Sequence, residues 1–180
     1  MNRLQDPQVH DDLVNFRLKR ALSVGGAPAI RLCEGRFGVS RAEWRLIAML
    51  VEDGAMSPTA LAERCHLEPA RIARLVATLV AKRHVARTRI DAGGGRVELA
   101  ATDSGRRLYA ALLPQLCAIN RRLMAVFDDA EAARLDEYLN RLYARACEIE
   151  AAGDGADAAV RTNRYLGSGR RDALRPVGDL

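Results

Sequence analysis

The sequence predicts a mainly α protein with a small β-hairpin wing, a winged helix-turn-helix set between N- and C-terminal helices suited to dimerisation. Three observations carry this reading. Two short helices meet at a tight turn between Ser57 and Lys82; two β-runs, Val85 to Ile90 and Arg96 to Ala100, are joined by Asp91-Ala-Gly-Gly-Gly; and the rest of the chain up to about residue 152 reads as amphipathic helix.

From the N-terminus, Asp11 to Val24 carries Leu13, Val14, Phe16, Leu18, Ala21 and Leu22 at helical spacing, and Gly25-Gly26-Ala27-Pro28 should interrupt it. A second piece, Pro28 to Arg36, leads into Phe37-Gly38. Ser40 then caps a helix with Glu43 three residues on, the pattern of a capping box, and Trp44, Leu46, Ile47, Leu50 and Val51 supply its core face until Asp53-Gly54 ends it. After the hairpin, Thr102 caps a long helix to about Phe127, in which Pro114 should produce a kink. Asp128 and Glu131 form another capping box, opening a helix to about Ala151 that carries Leu135, Leu139, Leu142, Ala146 and Ile149.

The central segment is the most telling. Ser57 is a good N-cap and Pro58 occupies the first helical position, where a missing N–H costs nothing. Cys65-His66-Leu67 forms the turn, and Pro69 opens a second helix reaching about Lys82. There Ile72, Leu75, Val76, Leu79 and Val80 make one inward stripe. At 100° per residue, Ala70, Arg74, Ala77 and Ala81 fall opposite that stripe, with Arg71 and Thr78 on its flank. Small side chains let a backbone approach base edges, and an Arg can fork onto O6 and N7 of guanine, so this face suits a major groove.

Charge points the same way. From Arg71 to Arg89 the basic residues are Arg71, Arg74, Lys82, Arg83, Arg87 and Arg89, and no acid interrupts them. Phosphates are the natural partner of such a run. In the hairpin Val97 and Leu99 share one face, with Arg96 and Glu98 on the other. A two-stranded hairpin is marginal alone, so it must lean on the helices, which brings its arginines beside the second helix. Ser57, Ala70, Arg71, Arg74, Thr78, Arg83, Arg87, Arg89 and Arg96 are therefore the candidate contacts to double-stranded DNA. A basic winged helix could instead meet an acidic partner protein; preference for a palindromic duplex separates the two.

Trp44-Arg-Leu-Ile-Ala-Met-Leu, the helix-turn-helix, the basic hairpin and Ala101-Thr-Asp-Ser-Gly-Arg-Arg-Leu108 together resemble the MarR (multiple antibiotic resistance regulator) family over about residues 10–150. Ala101-Thr102-Asp-Ser-Gly105 is a near match to that family's Leu-Thr-x-x-Gly signature. The resemblance departs at the wing, where Gly93-Gly94-Gly95 stands in place of the usual Asp-x-Arg and Arg96 falls one residue late. It implies a homodimeric transcriptional regulator, usually a repressor, that binds a pseudo-palindromic operator and releases it on binding a small aromatic or phenolic ligand. In such dimers the ligand cleft lies between the first helices, the long helix after the wing and the base of the reader. Phe16, Arg20, Arg31, Arg36, Trp44, Arg45 and Tyr109 are the residues here that could line it, and Arg beside aromatic surface suits an anionic aromatic effector.

Composition is consistent with this and excludes several alternatives. The 180 residues carry a formal charge of +5, and every basic side chain except Lys19 and Lys82 is Arg. Aromatic residues are only 4%, too few for a stacking platform that binds single strands. No apolar run approaches the roughly 18 residues a membrane span needs, and the first residues lack the apolar core of a signal peptide, so a cytoplasmic protein is expected. Cys33, Cys65, Cys117 and Cys147 lie far apart without paired histidines, which indicates neither a metal site nor a disulfide framework. There is no Gly-x-Ser-x-Gly, His-Glu-x-x-His or P-loop, and His10, His66 and His84 are scattered, so no enzyme and no cofactor is expected.

Two helices of about 20 residues or more must bury their apolar stripes somewhere, and a second copy is the economical partner. The expected organisation is dimerisation helices over 1–39, the winged helix-turn-helix over 40–101, further dimerisation helices over 102–152, and a tail, 153–180, poorly ordered or loosely docked, in which Asp nearly cancels Arg.

Overall fold

Capping chemistry sets most of the element boundaries. The computed structural model describes residues 2–90 and 96–152. In order, a single 3-10 turn at His10–Asp12 precedes α1 (Val14–Gly25), α2 (Ala27–Phe37), α3 (Arg41–Glu52), α4 (Pro58–Cys65), α5 (Pro69–Ala81), β1 (Val85–Ile90), β2 (Arg96–Ala101), α6 (Asp103–Met124) and α7 (Asp129–Ala152). The expected Gly-rich reversal at 91–95 and the tail at 153–180 lie outside the described residues. The chain divides into two units, Met1–Asp136 and Glu137–Leu180, the division falling inside α7.

Each predicted cap is present. The Ser40 hydroxyl accepts from the Glu43 amide at 3.2 Å while the Glu43 carboxylate accepts from the Ser40 amide at 2.6 Å. Ser57 accepts from the Ala60 amide at 3.1 Å, and Thr102 from the Gly105 amide at 3.1 Å. Asp128 and Glu131 accept from each other's amides at 2.8 and 3.0 Å. Each bond satisfies a donor that the first helical turn leaves unpaired.

The first helix differs from expectation at both ends. It begins at Val14 rather than Asp11, because the Asp12 carboxylate turns back to accept from the amides of Gln8 and Val9 and holds the preceding residues in a 3-10 turn. The interruption at Gly25-Gly26-Ala27-Pro28 shrinks to one residue: Gly26 keeps right-handed helical angles, and Pro28 falls in the first turn of α2, where its missing donor is harmless. Proline within α6 likewise leaves the helix unbroken, Pro114 lying on its exposed side.

Two apolar clusters hold the first unit together. The larger joins Leu46, Ile47 and Leu50 of α3, Leu61 and Cys65 of α4, Ile72, Val76 and Leu79 of α5, and Val85, Leu99 and Ala101 of the hairpin. The smaller joins Cys33, Val39, Trp44 and Leu112, tying α2 and α3 to α6. Removing one of these leucines would cost about 2–5 kcal/mol by cavity formation. Val80, placed with the inward stripe of α5 by its spacing, is instead 39% exposed: Ile72, Val76 and Leu79 are buried in the core and Leu75 packs against it half-buried, which leaves Val80 at the edge of the stripe.

The hairpin is antiparallel, Val85 facing Ala101, Arg87 facing Leu99 and Arg89 facing Val97. A further bridge escaped the sequence reading: Met56, just before α4, exchanges backbone hydrogen bonds of 3.0 and 2.9 Å with Leu99. A two-stranded ribbon is marginal in water, and this extra pairing fixes its base to the helix-turn-helix.

Candidate nucleic-acid interface

The α4–α5 turn is built from the backbone outward. His66 caps α4 in the left-handed region at φ 50°, and the Leu67 amide returns to the Ala62 carbonyl at 3.0 Å, which closes the end of the helix. Pro69 then starts α5 with its buried side on α3 and α4. The opposite side, Ala70, Arg74, Ala77, Thr78 and Ala81, is exposed as its periodicity requires, and Arg71 is half-buried on the flank. The Thr78 hydroxyl donates to the Arg74 carbonyl at 3.1 Å, so it is engaged within the helix. Ser57 is exposed at the start of α4, its hydroxyl occupied as a cap.

In the hairpin, directly opposed residues share a face. Val85, Leu99 and Ala101 are buried at its base, and the same face continues outward through Val97 to the exposed Arg87 and Arg89. Arg96 opposes Ile90 and therefore points to the other side. Arg87 and Arg89 thus share one face of the ribbon and Arg96 lies on the other, as the period-two alternation of each strand requires. Arg83 is exposed between α5 and β1, at φ 60°.

Lys82, which the basic run includes but the candidate contacts do not, is turned into the protein. The sequence counts it among the phosphate-seeking cations, yet its Nζ lies 2.9 and 3.0 Å from the two carboxylate oxygens of Glu43 and 2.9 Å from the Gly38 carbonyl. Burial alone would raise the Glu43 pKa, but the Ser40 amide, the Lys82 ammonium and the Ser40 hydroxyl outweigh it and hold the carboxyl below its ordinary value. No local pattern announces a pair 39 residues apart.

The residues expected to line an effector cleft separate into several settings. Trp44 and Tyr109 come together, stacked with centroids 5.3 Å apart at 17°. The Tyr109 hydroxyl donates to the Glu52 carboxylate at 2.6 Å, which raises its pKa. Arg36 donates to Gln115 at 2.9 Å and lies over the Phe37 ring, while Phe16 packs against His10. Arg31 and Arg45 are exposed, and Arg20 helps line an open depression of about 420 Å³ on α1 with Arg17, Ala21 and Val24. Cys33 and Cys65 are buried, which pushes both thiols up in pKa, and Cys65 donates to the Met49 sulfur at 3.1 Å. Among the described residues no cluster of His, Cys, Asp or Glu could hold a metal ion, and no helix is long and apolar enough to cross a membrane.

A helix-turn-helix with an outward basic second helix and a basic hairpin beside it defines a winged-helix DNA-binding regulator. Comparison with known families matches residues 37–96 to the MarR family. A MarR family transcriptional regulator from Silicibacter pomeroyi DSS-3 is 30% identical, with 74% of this chain covering 94% of that one at a TM-score of 0.64. The chain belongs to the MarR family of transcriptional regulators, DNA-binding proteins that are not enzymes. Similar folds include the DNA complex of MepR from S. aureus (15% identity, 77% of this chain on 99% of that one, TM-score 0.65). Another is BpsR of Bordetella bronchiseptica, described by the regulation of its DNA binding by 6-hydroxynicotinic acid (20% identity, 76% on 97%, TM-score 0.66). No curated protein matches the sequence.

Proposed function

We propose that this regulator acts in the cytoplasm as a homodimeric repressor on a pseudo-palindromic operator, each subunit placing α5 in a major groove with Arg87 and Arg89 of the wing against the adjacent backbone or minor groove. The observation that carries this reading is the exposed Ala70–Arg74–Thr78 face of α5, opposite the buried Ile72, Val76 and Leu79. MepR was captured on DNA, which supports the same use of the fold here.

Dimerisation is supported by apolar surface on the flanking helices. Leu13, Leu18 and Leu22 are exposed on or beside α1, and Leu123 near the end of α6 is 56% exposed. On α7, Tyr138, Leu139, Leu142 and Ile149 are exposed as well. Such surface on a small protein normally meets a partner. Segments 1–39 and 102–152 serve as dimerisation helices around the reader at 40–101, and two recognition helices about 34 Å apart would then meet successive major grooves.

Release by a small anionic aromatic compound completes the proposal. Its support is the basic and aromatic composition of the helices around Trp44, Tyr109, Phe16, Arg20, Arg31, Arg36 and Arg45, together with the 6-hydroxynicotinic acid dependence of BpsR. The test is binding of the purified chain to duplexes selected from random sequence, with light scattering for mass and a panel of aromatic acids and their thioesters for release. Recovery of a palindromic site by a dimer supports the reading. A monomer without sequence preference overturns it, and ligands that leave both affinity and melting temperature unchanged remove the effector.

A further inference from the structure

The corner between α5 and β1, Lys82 to His84, is gripped from two sides. On one side the three ammonium protons of Lys82 meet three acceptors: Oε1 of Glu43 at 2.9 Å, Oε2 at 3.0 Å and the Gly38 carbonyl at 2.9 Å. Glu43 belongs to the first turn of α3, and Gly38 is the left-handed cap, at φ 64°, that ends α2. On the other side the Thr102 hydroxyl donates to the Arg83 carbonyl at 2.7 Å, and the Thr102 amide donates to the His84 carbonyl at 3.1 Å. The Ser104 hydroxyl lies 3.1 Å from His84 Nδ1, and the backbone at Gly105 packs directly on the His84 carbonyl. One end of the recognition helix is therefore fastened at once to the end of α2 and to the start of α6.

This matters because an ammonium with every proton in use has none to offer a phosphate. The Glu43 side chain is 6% exposed against 34% for Lys82, so the acid is sunk in the protein and the base closes over it. A carboxylate so placed holds its partner in one position, since moving the ammonium leaves a buried charge with fewer hydrogen bonds. α5 also has no side-chain cap at its N-terminal end, so the ties at its C-terminal end carry more of its orientation.

We propose that Lys82 and Glu43 are positioning residues: their ion pair, anchored on the Gly38 carbonyl, fixes the angle of α5 against α2 and so determines which half-site spacing the dimer accepts. This rests on the operator-binding homodimer proposed above. A dimer reads two half-sites at one separation only if each recognition helix is rigidly referred to the helices that join the subunits. One base pair added between half-sites displaces and rotates the second groove, and a rigid dimer pays for it in lost contacts.

The experiment measures full-length protein by fluorescence anisotropy on duplexes carrying the selected half-site pair at its preferred spacing and at one and two base pairs more or fewer. The wild type should prefer its own spacing by about tenfold or more over either neighbour, the scale of losing one good base contact. Lys82→Met and Glu43→Gln should each shrink that preference to about threefold or less while remaining dimeric. Glu43→Gln removes a negative charge, which by simple attraction would strengthen DNA binding at every spacing; a narrowed preference therefore reports orientation. The double variant leaves no orphaned charge and carries the test if a single variant fails to fold; it should be no worse than the more affected single. A folded variant with the wild-type spacing profile overturns the proposal. So does Lys82→Met lowering the salt slope by about one with the profile unchanged, which would make Lys82 a phosphate contact. Wild-type protein that binds no duplex would instead overturn the operator reading.

Discussion

Gly105, in the first turn of α6, sits against the carbonyl of His84 with no room for a side chain. A methyl group there would collide with that oxygen and meet the Ala101 side chain at 3.6 Å. The obstacle is backbone held by the Thr102 amide, so it cannot rotate aside. Gly105→Ala should therefore destabilise the protein by about 1–3 kcal/mol, the usual cost of overpacking a closed site. Thermal unfolding followed by circular dichroism measures it, and a melting temperature equal to wild type would show that the corner yields.

Arg83 bears the opposite relation to its backbone. At φ 60° it occupies the left-handed region, where a side chain costs roughly 1–2 kcal/mol that glycine avoids, although glycine gives back part of this as unfolded-state entropy. Arg83→Gly should thus raise stability by up to about 1 kcal/mol. The same change removes an exposed guanidinium beside the recognition helix, so DNA affinity should fall on all sequences alike and the salt slope should drop by about one. An unchanged affinity and salt slope would contradict the assignment of Arg83 to a phosphate, and a lower melting temperature would contradict the strain at its backbone.

Acid should weaken the fold in two stages. Burial, and then the neighbouring Lys82 ammonium, hold the His84 pKa below its ordinary value, while Glu43 pulls the other way and the Ser104 hydroxyl faces the ring. The unfolded chain therefore takes up a proton at His84 before the folded one does, and stability present above about pH 6.5 is lost as pH falls from there toward the folded value. Glu43, held below its ordinary value, contributes stability above its unfolded pKa of about 4.3, and this is lost as pH falls through its lower folded value. Melting temperature against pH should show both limbs. His84→Asn should flatten the first and leave the second, and an unaltered first limb would place its origin elsewhere.

How far the molecule can be read from its residues depends on the distance over which each feature is decided. Ser40, Ser57, Thr102 and Asp128 announce their helices because a cap is a bond within three residues. The outward placement of Arg74 follows from helical period alone. Lys82 does not, since an acid on α3 and a carbonyl ending α2 decide where its ammonium goes. The Met56 bridge to Leu99 likewise joins residues with no periodic relation, and Val80 shows that a spacing match can fall at the edge of the stripe. The settings of the candidate effector residues are decided over the same long distances. Trp44 and Tyr109 satisfy each other across α3 and α6, a relation that spacing along either helix does not contain.

The division of the basic residues between helix and wing has a measurable consequence. Arg74 is exposed in the centre of the outward face of α5, flanked by Ala70 and Ala77, whose methyl groups allow close approach to base edges. Bidentate contact to guanine from this position would discriminate one base pair, so Arg74→Ala should cost about 1–3 kcal/mol per half-site on the selected operator and little on unrelated DNA. Arg87 and Arg89 share the face of the ribbon that is buried at its base, and in the complex proposed above they would meet the DNA backbone, where contact carries no sequence information. Arg87→Ala or Arg89→Ala should weaken specific and non-specific DNA together and lower the salt slope by about one each. Arg96 lies on the other face of the ribbon, opposite Ile90, so Arg96→Ala should have the smallest effect of the wing substitutions. Anisotropy titrations on operator and scrambled duplex at several salt concentrations separate these outcomes, and equal small losses for Arg74 and the wing arginines would move the groove contact away from α5.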